Sequence, residues 1–111
     1  MNTSSEQVFQ EIQAHCLTKD GCAEEYPWGD VAWKVKGKCF AIGGEGSNRF
    51  TIKSTLAKQE VLILHPQVSV ASYVGRFGWV TIEVVDDDTM ALAKDLIDES
   101  FDMITRRKVK P

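Results

Sequence analysis

The sequence predicts an α+β domain of two layers, an antiparallel sheet packed by helices in the order α-β-β-β-α-β-β-α. Three observations carry that prediction. Apolar side chains recur at helical spacing near both ends of the chain, at Val8, Phe9, Ile12 and Cys16 and again at Leu92, Leu96, Ile97 and Ile104. Residues 49–53 and 80–84 alternate between apolar and polar, the period of a half-buried strand. Two apolar runs flank Lys36-Gly37, a two-residue hairpin bend.

The first helix opens at "TSSEQ", where Thr3 with Glu6 and Ser4 with Gln7 both fit a capping box. It ends before "KDG", where Gly21 supplies a left-handed stop. "EEYPWGD" is a turn broken by Pro27 and Gly29, and Trp28 is expected to staple it to the body. In the first hairpin, the Lys36-Gly37 bend pairs Val35 with Lys38, Lys34 with Cys39, Trp33 with Phe40, and Val31 with Ile42. That register puts Val31, Trp33, Phe40 and Ile42 on one core face.

"GGEGSN" is a flexible connection to a third strand, "RFTIKS", with Phe50 and Ile52 on one face and Thr51 and Lys53 on the other. "TLAKQEVLIL" makes a short helix stopped by His65-Pro66. "SYVGRFGWVTIEVV" reads as a second hairpin bent at "GRFG", short strand then long. Val80, Ile82 and Val84 face its core, so Trp79 shares the outer face with Thr81 and Glu83. "DDDT" caps the last helix and places acids in its first turn, where they complement the helix dipole.

At 111 residues the chain suits a single domain over 1–111. No run is long and apolar enough to span a membrane, and "MNTSSEQVFQ" carries no basic start leading into an apolar stretch. A cytoplasmic location is the expectation. Cys16, Cys22 and Cys39 are odd in number and form no C-x-x-C, which argues for free thiols over a disulfide framework or a zinc site. His15 and His65 sit in no ligand motif, so neither a metal nor a cofactor is expected. "GGEGSN" lacks the Gly-Lys-Ser/Thr ending of a phosphate loop, and no nucleophile–base set has a local signature. The chain is therefore not expected to be an enzyme.

The net charge of −3 hides a segregation. Residues 31–58 hold Lys34, Lys36, Lys38, Arg49, Lys53 and Lys58 against Glu45, a balance of +5. Residues 83–102 hold eight acids against Lys94, a balance of −7, and Arg106, Arg107, Lys108 and Lys110 close the chain. Such patterning sets which surface can attract a polyanion.

The landmarks "EEYPWGDVAWKVKGKCFA", "TIKS", "YVGRFGWVTIEV" and "LIDESFDMI" with the basic end "RRKVKP" resemble the MmcQ/YjbR-like family along nearly the whole chain. The specific parts are the turn Pro27-Trp28-Gly29, the hairpin residues Lys34, Val35, Gly37, Lys38, Phe40 and Ala41, and the run Gly75, Arg76, Trp79 and Val80. Trp28 stands where the family usually has Phe. The resemblance implies a fold similar to frataxin-like and secretion-chaperone-like domains. It also implies a DNA-binding role with the two hairpins as paired wings, and it assigns no catalytic residues.

The candidate nucleic-acid-binding residues are Lys34, Lys36, Lys38, Arg49, Lys53 and Arg76, with Trp79 as a surface on which an unpaired base stacks. Lysines at hairpin ends also serve as guards against aggregation. A protein-interaction module of chaperone-like shape, using the sheet surface near Trp79, is the competing expectation. The acids Asp86, Asp87, Asp88, Asp95, Asp98, Glu99 and Asp102 suggest a hard cation. Yet helical spacing spreads Asp95, Glu99 and Asp102 along a solvated face, and the Asp triplet is a natural cap.

Overall fold

The computed structural model describes residues 4–106. The Thr3 capping reading and the basic residues Arg107, Lys108 and Lys110 lie outside them.

Helix α1 (Ser5–Leu17) begins as expected. Ser4 Oγ accepts from the Gln7 backbone N–H, and Gln7 Oε1 accepts from the Ser4 N–H. Its stripe of Val8, Phe9, Ile12 and Cys16 is buried. Helix α3 (Asp87–Thr105) starts in the same way, with Asp86 Oδ1 accepting from Thr89 N–H at 2.8 Å. Those bonds from Thr89 hold the Asp86 carboxyl below its ordinary pKa. Leu96 and Ile97 are buried, while Leu92 and Ile104 pack partly buried against the same core.

The helices α1 and α3 are tied to each other across their polar sides. Lys94 Nζ lies 2.7 Å from Glu11 Oε2, and Asp98 Oδ1 receives both His15 Nε2, at 2.8 Å, and the Lys19 ammonium. Beneath them Phe9 stacks near Trp33 and Phe50, with centroids 5.9 and 6.2 Å apart. Phe101 meets Phe40 edge-on at 5.5 Å.

The sheet has six strands: β1 (Ala23–Glu25), β2 (Asp30–Val35), β3 (Lys38–Gly44), β4 (Arg49–Ile52), β5 (Val68–Val70) and β6 (Val80–Glu83). Their spatial order is β1-β2-β3-β4-β6-β5, with every neighbouring pair antiparallel. A short helix α2 (Leu56–Leu62) links β4 to β5 and packs against β5. Strand β1 is an addition to the five expected. Its three residues, Ala-Glu-Glu, carry no alternation by which a strand is recognised.

The first hairpin departs from the expected register at one residue. Val35 pairs with Lys38 and Lys34 with Cys39, but Trp33 then pairs with Ala41 and Val31 with Gly43. Phe40 is the extra residue of a β-bulge. Beyond it, Ala41 and Gly43 take the inward positions, and Ile42 turns outward and is only partly buried. Val31, Trp33 and Phe40 are buried as expected. Phe50, Ile52, Val80, Ile82 and Val84 complete the core. The second hairpin has a longer loop than expected. Its first strand is Val68–Val70, and residues 71–79 form a connection with one 3-10 turn at Gly75–Phe77.

Candidate nucleic-acid interface

Register decides which cations can meet. Ala41 is opposite Ile52, Ile52 is opposite Val80, and Val80 is opposite Val70. The Lys36-Gly37 bend, the end of β4 at Lys53, and the 71–79 connection with Arg76 therefore lie at the same end of the sheet. Residues 38 and 39 run past the last contact, the bond from Lys53 N–H to Phe40 O, so the bend projects by about 7 Å beyond it at the usual rise per residue. Lys36 (φ 55) and Gly37 (φ 76) make a left-handed two-residue turn, the type that suits a twisted hairpin.

At this end Lys36, Lys38 and Arg76 are exposed and Lys53 is partly so. None of the four joins an ion pair among the described residues. Lys53 Nζ sits 5.7 Å from the Trp79 ring centroid and Arg76 Cζ 4.8 Å from that of Phe77, so two of the cations rest on aromatic faces. The acids of the second half of α3 are engaged: Asp98 with Lys19 and His15, Glu99 with Lys58 at 2.6 Å, and Asp102 with Arg106 at 3.6 Å. Asp86, Asp87 and Asp88 follow β6 at the opposite end of the sheet.

The remaining candidates do not join the cluster. Arg49 pairs in register with Glu83, at the far end of β4. Lys34 lies on the outer face, with its Nζ 2.9 Å from Glu25 Oε1, and that bond raises its pKa. Trp79 is only 9% exposed, so its indole is a buried support under Lys53. Trp28, expected to staple its turn, is 99% exposed at φ 44, ψ 50.

The connection carrying Arg76 is held from below. Gln59, buried on α2, donates from Nε2 to the carbonyls of Gly75 and Trp79, each at 2.8 Å. Gly78 adopts φ 100, and a Cβ there would stand 2.6 Å from the Thr55 carbonyl carbon. A Cβ at Gly75 would overlap Val70 Cγ1. These contacts make the connection a fixed platform that displays Tyr73 (95% exposed) and Phe77 (58% exposed). Neither aromatic was singled out by sequence reasoning. The available signal was their place around a Gly-Arg bend.

Other chemistry is sparse. The three cysteines are free, and burial pushes the Cys16 thiol well up. Among the described residues no group of three or more His, Cys, Asp and Glu is arranged to hold a metal ion, and no helix is long and apolar enough to cross a membrane. A hollow of about 490 Å³ opens between the starts of α1 and α3, lined in part by Glu11, Asp86 and Asp87, a setting that repels phosphate.

No curated protein matches the chain by sequence. Its fold is similar to the crystal structure of the Deinococcus radiodurans protein DR2400, which carries a DUF419 domain. The TM-score is 0.77 at 20% identity, over 98% of this chain and 86% of that one. The YjbR family matches residues 17–103, a span from the end of α1 to the last turn of α3 that takes in both basic connections. By that match the chain belongs to the YjbR family.

Proposed function

We propose that this protein binds nucleic acid through backbone phosphates, with little sequence selectivity, using the basic end of its sheet. The observation that supports the reading is the convergence of Lys36, Lys38, Lys53 and Arg76 at one end, unpaired among the described residues, while Asp98, Glu99 and Asp102 of α3 are engaged and Asp86–Asp88 lie at the other end. Cations on phosphates hold a polyanion without reading its bases. The role is binding without catalysis.

Fluorescence anisotropy of a labelled duplex, titrated between about 50 and 200 mM salt, tests this. Four neutralised phosphates give a log–log slope of about −3.6, a loss of roughly 150-fold over that range. Absence of binding at the low-salt end both to this duplex and to a single strand of the same length, or binding indifferent to salt, contradicts it. Salt-indifferent capture of a protein would instead favour the second reading, an interaction module. The exposed Val61, Leu64 and Val70 around β5 support that alternative.

A further inference from the structure

Tyr73 occupies a conformation its side chain does not favour. Its φ is 65, and the Val74 N–H donates to Ser72 O at 2.6 Å across it, so Tyr73 is the apex of a positive-φ γ-turn. A bulky residue is seldom found there, and such strain persists where the surroundings enforce it, often at binding sites. The ring gains nothing in return from the protein itself, because it is 95% exposed. Four residues on, Phe77 presents a second half-exposed ring, with the Arg76 guanidinium over it. The backbone that carries Phe77 is fixed by Gln59 and by the close approach at Gly75 and Gly78, and Tyr73 lies between Gly75 and Ala71, whose N–H donates to Trp79 O at 3.2 Å.

Two exposed aromatic rings on a rigid connection, beside four cations, suit a ligand that offers both phosphates and free π-faces. A duplex offers the phosphates and hides its base faces in the stack. A single strand offers both. From β3 to β5 the basic end spans three strand spacings, about 14 Å, so the cations follow a backbone laid across the strand ends.

Resting on the nucleic-acid reading above, we infer that the ligand class is single-stranded nucleic acid, with Tyr73 and Phe77 as stacking platforms for unpaired bases. Trp79, the sequence candidate for that role, serves as the buried support of Lys53.

Anisotropy titrations of labelled oligothymidylate and of a duplex of matched length, on wild type, Tyr73→Ala, Phe77→Ala and Tyr73→Phe, test the inference. Wild type is expected to hold the single strand more tightly. Each alanine variant is expected to weaken that complex by roughly 5- to 150-fold, the worth of one stacked base, with duplex binding unchanged and Tyr73→Phe close to wild type. Unaltered single-strand binding in both alanine variants overturns the stacking role and leaves the phosphate reading standing. So does a loss shared equally by single strand and duplex, which marks a structural defect. Failure of wild type to bind either ligand at low salt overturns both.

Discussion

Gln59 Nε2 lies 2.8 Å from the carbonyl oxygen of Trp79 and equally close to that of Gly75, so one buried carboxamide holds the 71–79 loop on both sides of Arg76. Gln59→Leu removes both donors and leaves two carbonyls without those partners. A loss of about 1–3 kcal/mol is expected, read as a lower urea midpoint. Amide exchange should accelerate in residues 71–79 before it does in α1 or α3. Unchanged protection of that segment would show that the loop is held by other means.

Gly78 combines φ 100 with a Thr55 carbonyl carbon 2.6 Å from where a Cβ would sit. Gly78→Ala must shift the start of α2 or unseat the loop. Its cost is expected at about 2–3 kcal/mol or more in chemical denaturation, beyond the usual glycine-to-alanine effect at a compatible site.

Trp28 and Trp33 make opposite predictions. Trp33 is fully buried, and Trp33→Ala is expected to cost about 3–5 kcal/mol. Trp28 is exposed in left-handed backbone. Trp28→Gly relieves that strain while loosening the unfolded chain, so the melting temperature should stay nearly constant, within about 0.5 kcal/mol. A large destabilisation at Trp28 would restore the staple.

The α1–α3 tie gives a pH dependence whose sign follows from Asp98. Burial works to raise its pKa, but the hydrogen bonds and charges of Lys19 and His15 outweigh that and hold it below its ordinary value. The unfolded chain then takes up the proton first. The stabilisation is complete above the unfolded pKa, about 3.9, and is lost as pH falls through the folded one. Urea midpoints from about pH 6 down to pH 2 should fall less steeply for Asp98→Asn than for wild type, from a lower plateau at the upper end.

Much of the fold was legible because local signals agreed with it. The capping pairs Ser4–Gln7 and Asp86–Thr89, the helical stripes, and the alternation of Val80, Ile82 and Val84 each reflect a short-range rule. The misreadings arose where a tertiary arrangement intervened. One bulge at Phe40 exchanged Ile42 for Ala41 and Gly43 on the inner face, and alternation cannot show an inserted residue. Gln59 reads as a surface residue of a short helix until the loop that it anchors is seen. For the candidate site, the basic segments were visible as charge, but their meeting depends on register. That register separates Arg49 from Lys53 on one strand and pairs Lys34 with Glu25.

Those two residues of one strand give the most direct test. Arg49 opens β4 and Lys53 follows its last residue in step with the same alternation, so the two lie at opposite ends of the strand and reversing either charge changes net charge equally. The measurement is the salt dependence of nucleic-acid affinity for wild type, Lys53→Glu and Arg49→Glu, each shown to be folded. The basic-end reading predicts that Lys53→Glu lowers affinity and reduces the slope by about 0.7–0.9, one phosphate contact, while Arg49→Glu leaves the slope at the wild-type value. Equal losses in the two variants would contradict it, because attraction would then follow net charge and not the placement of the cations.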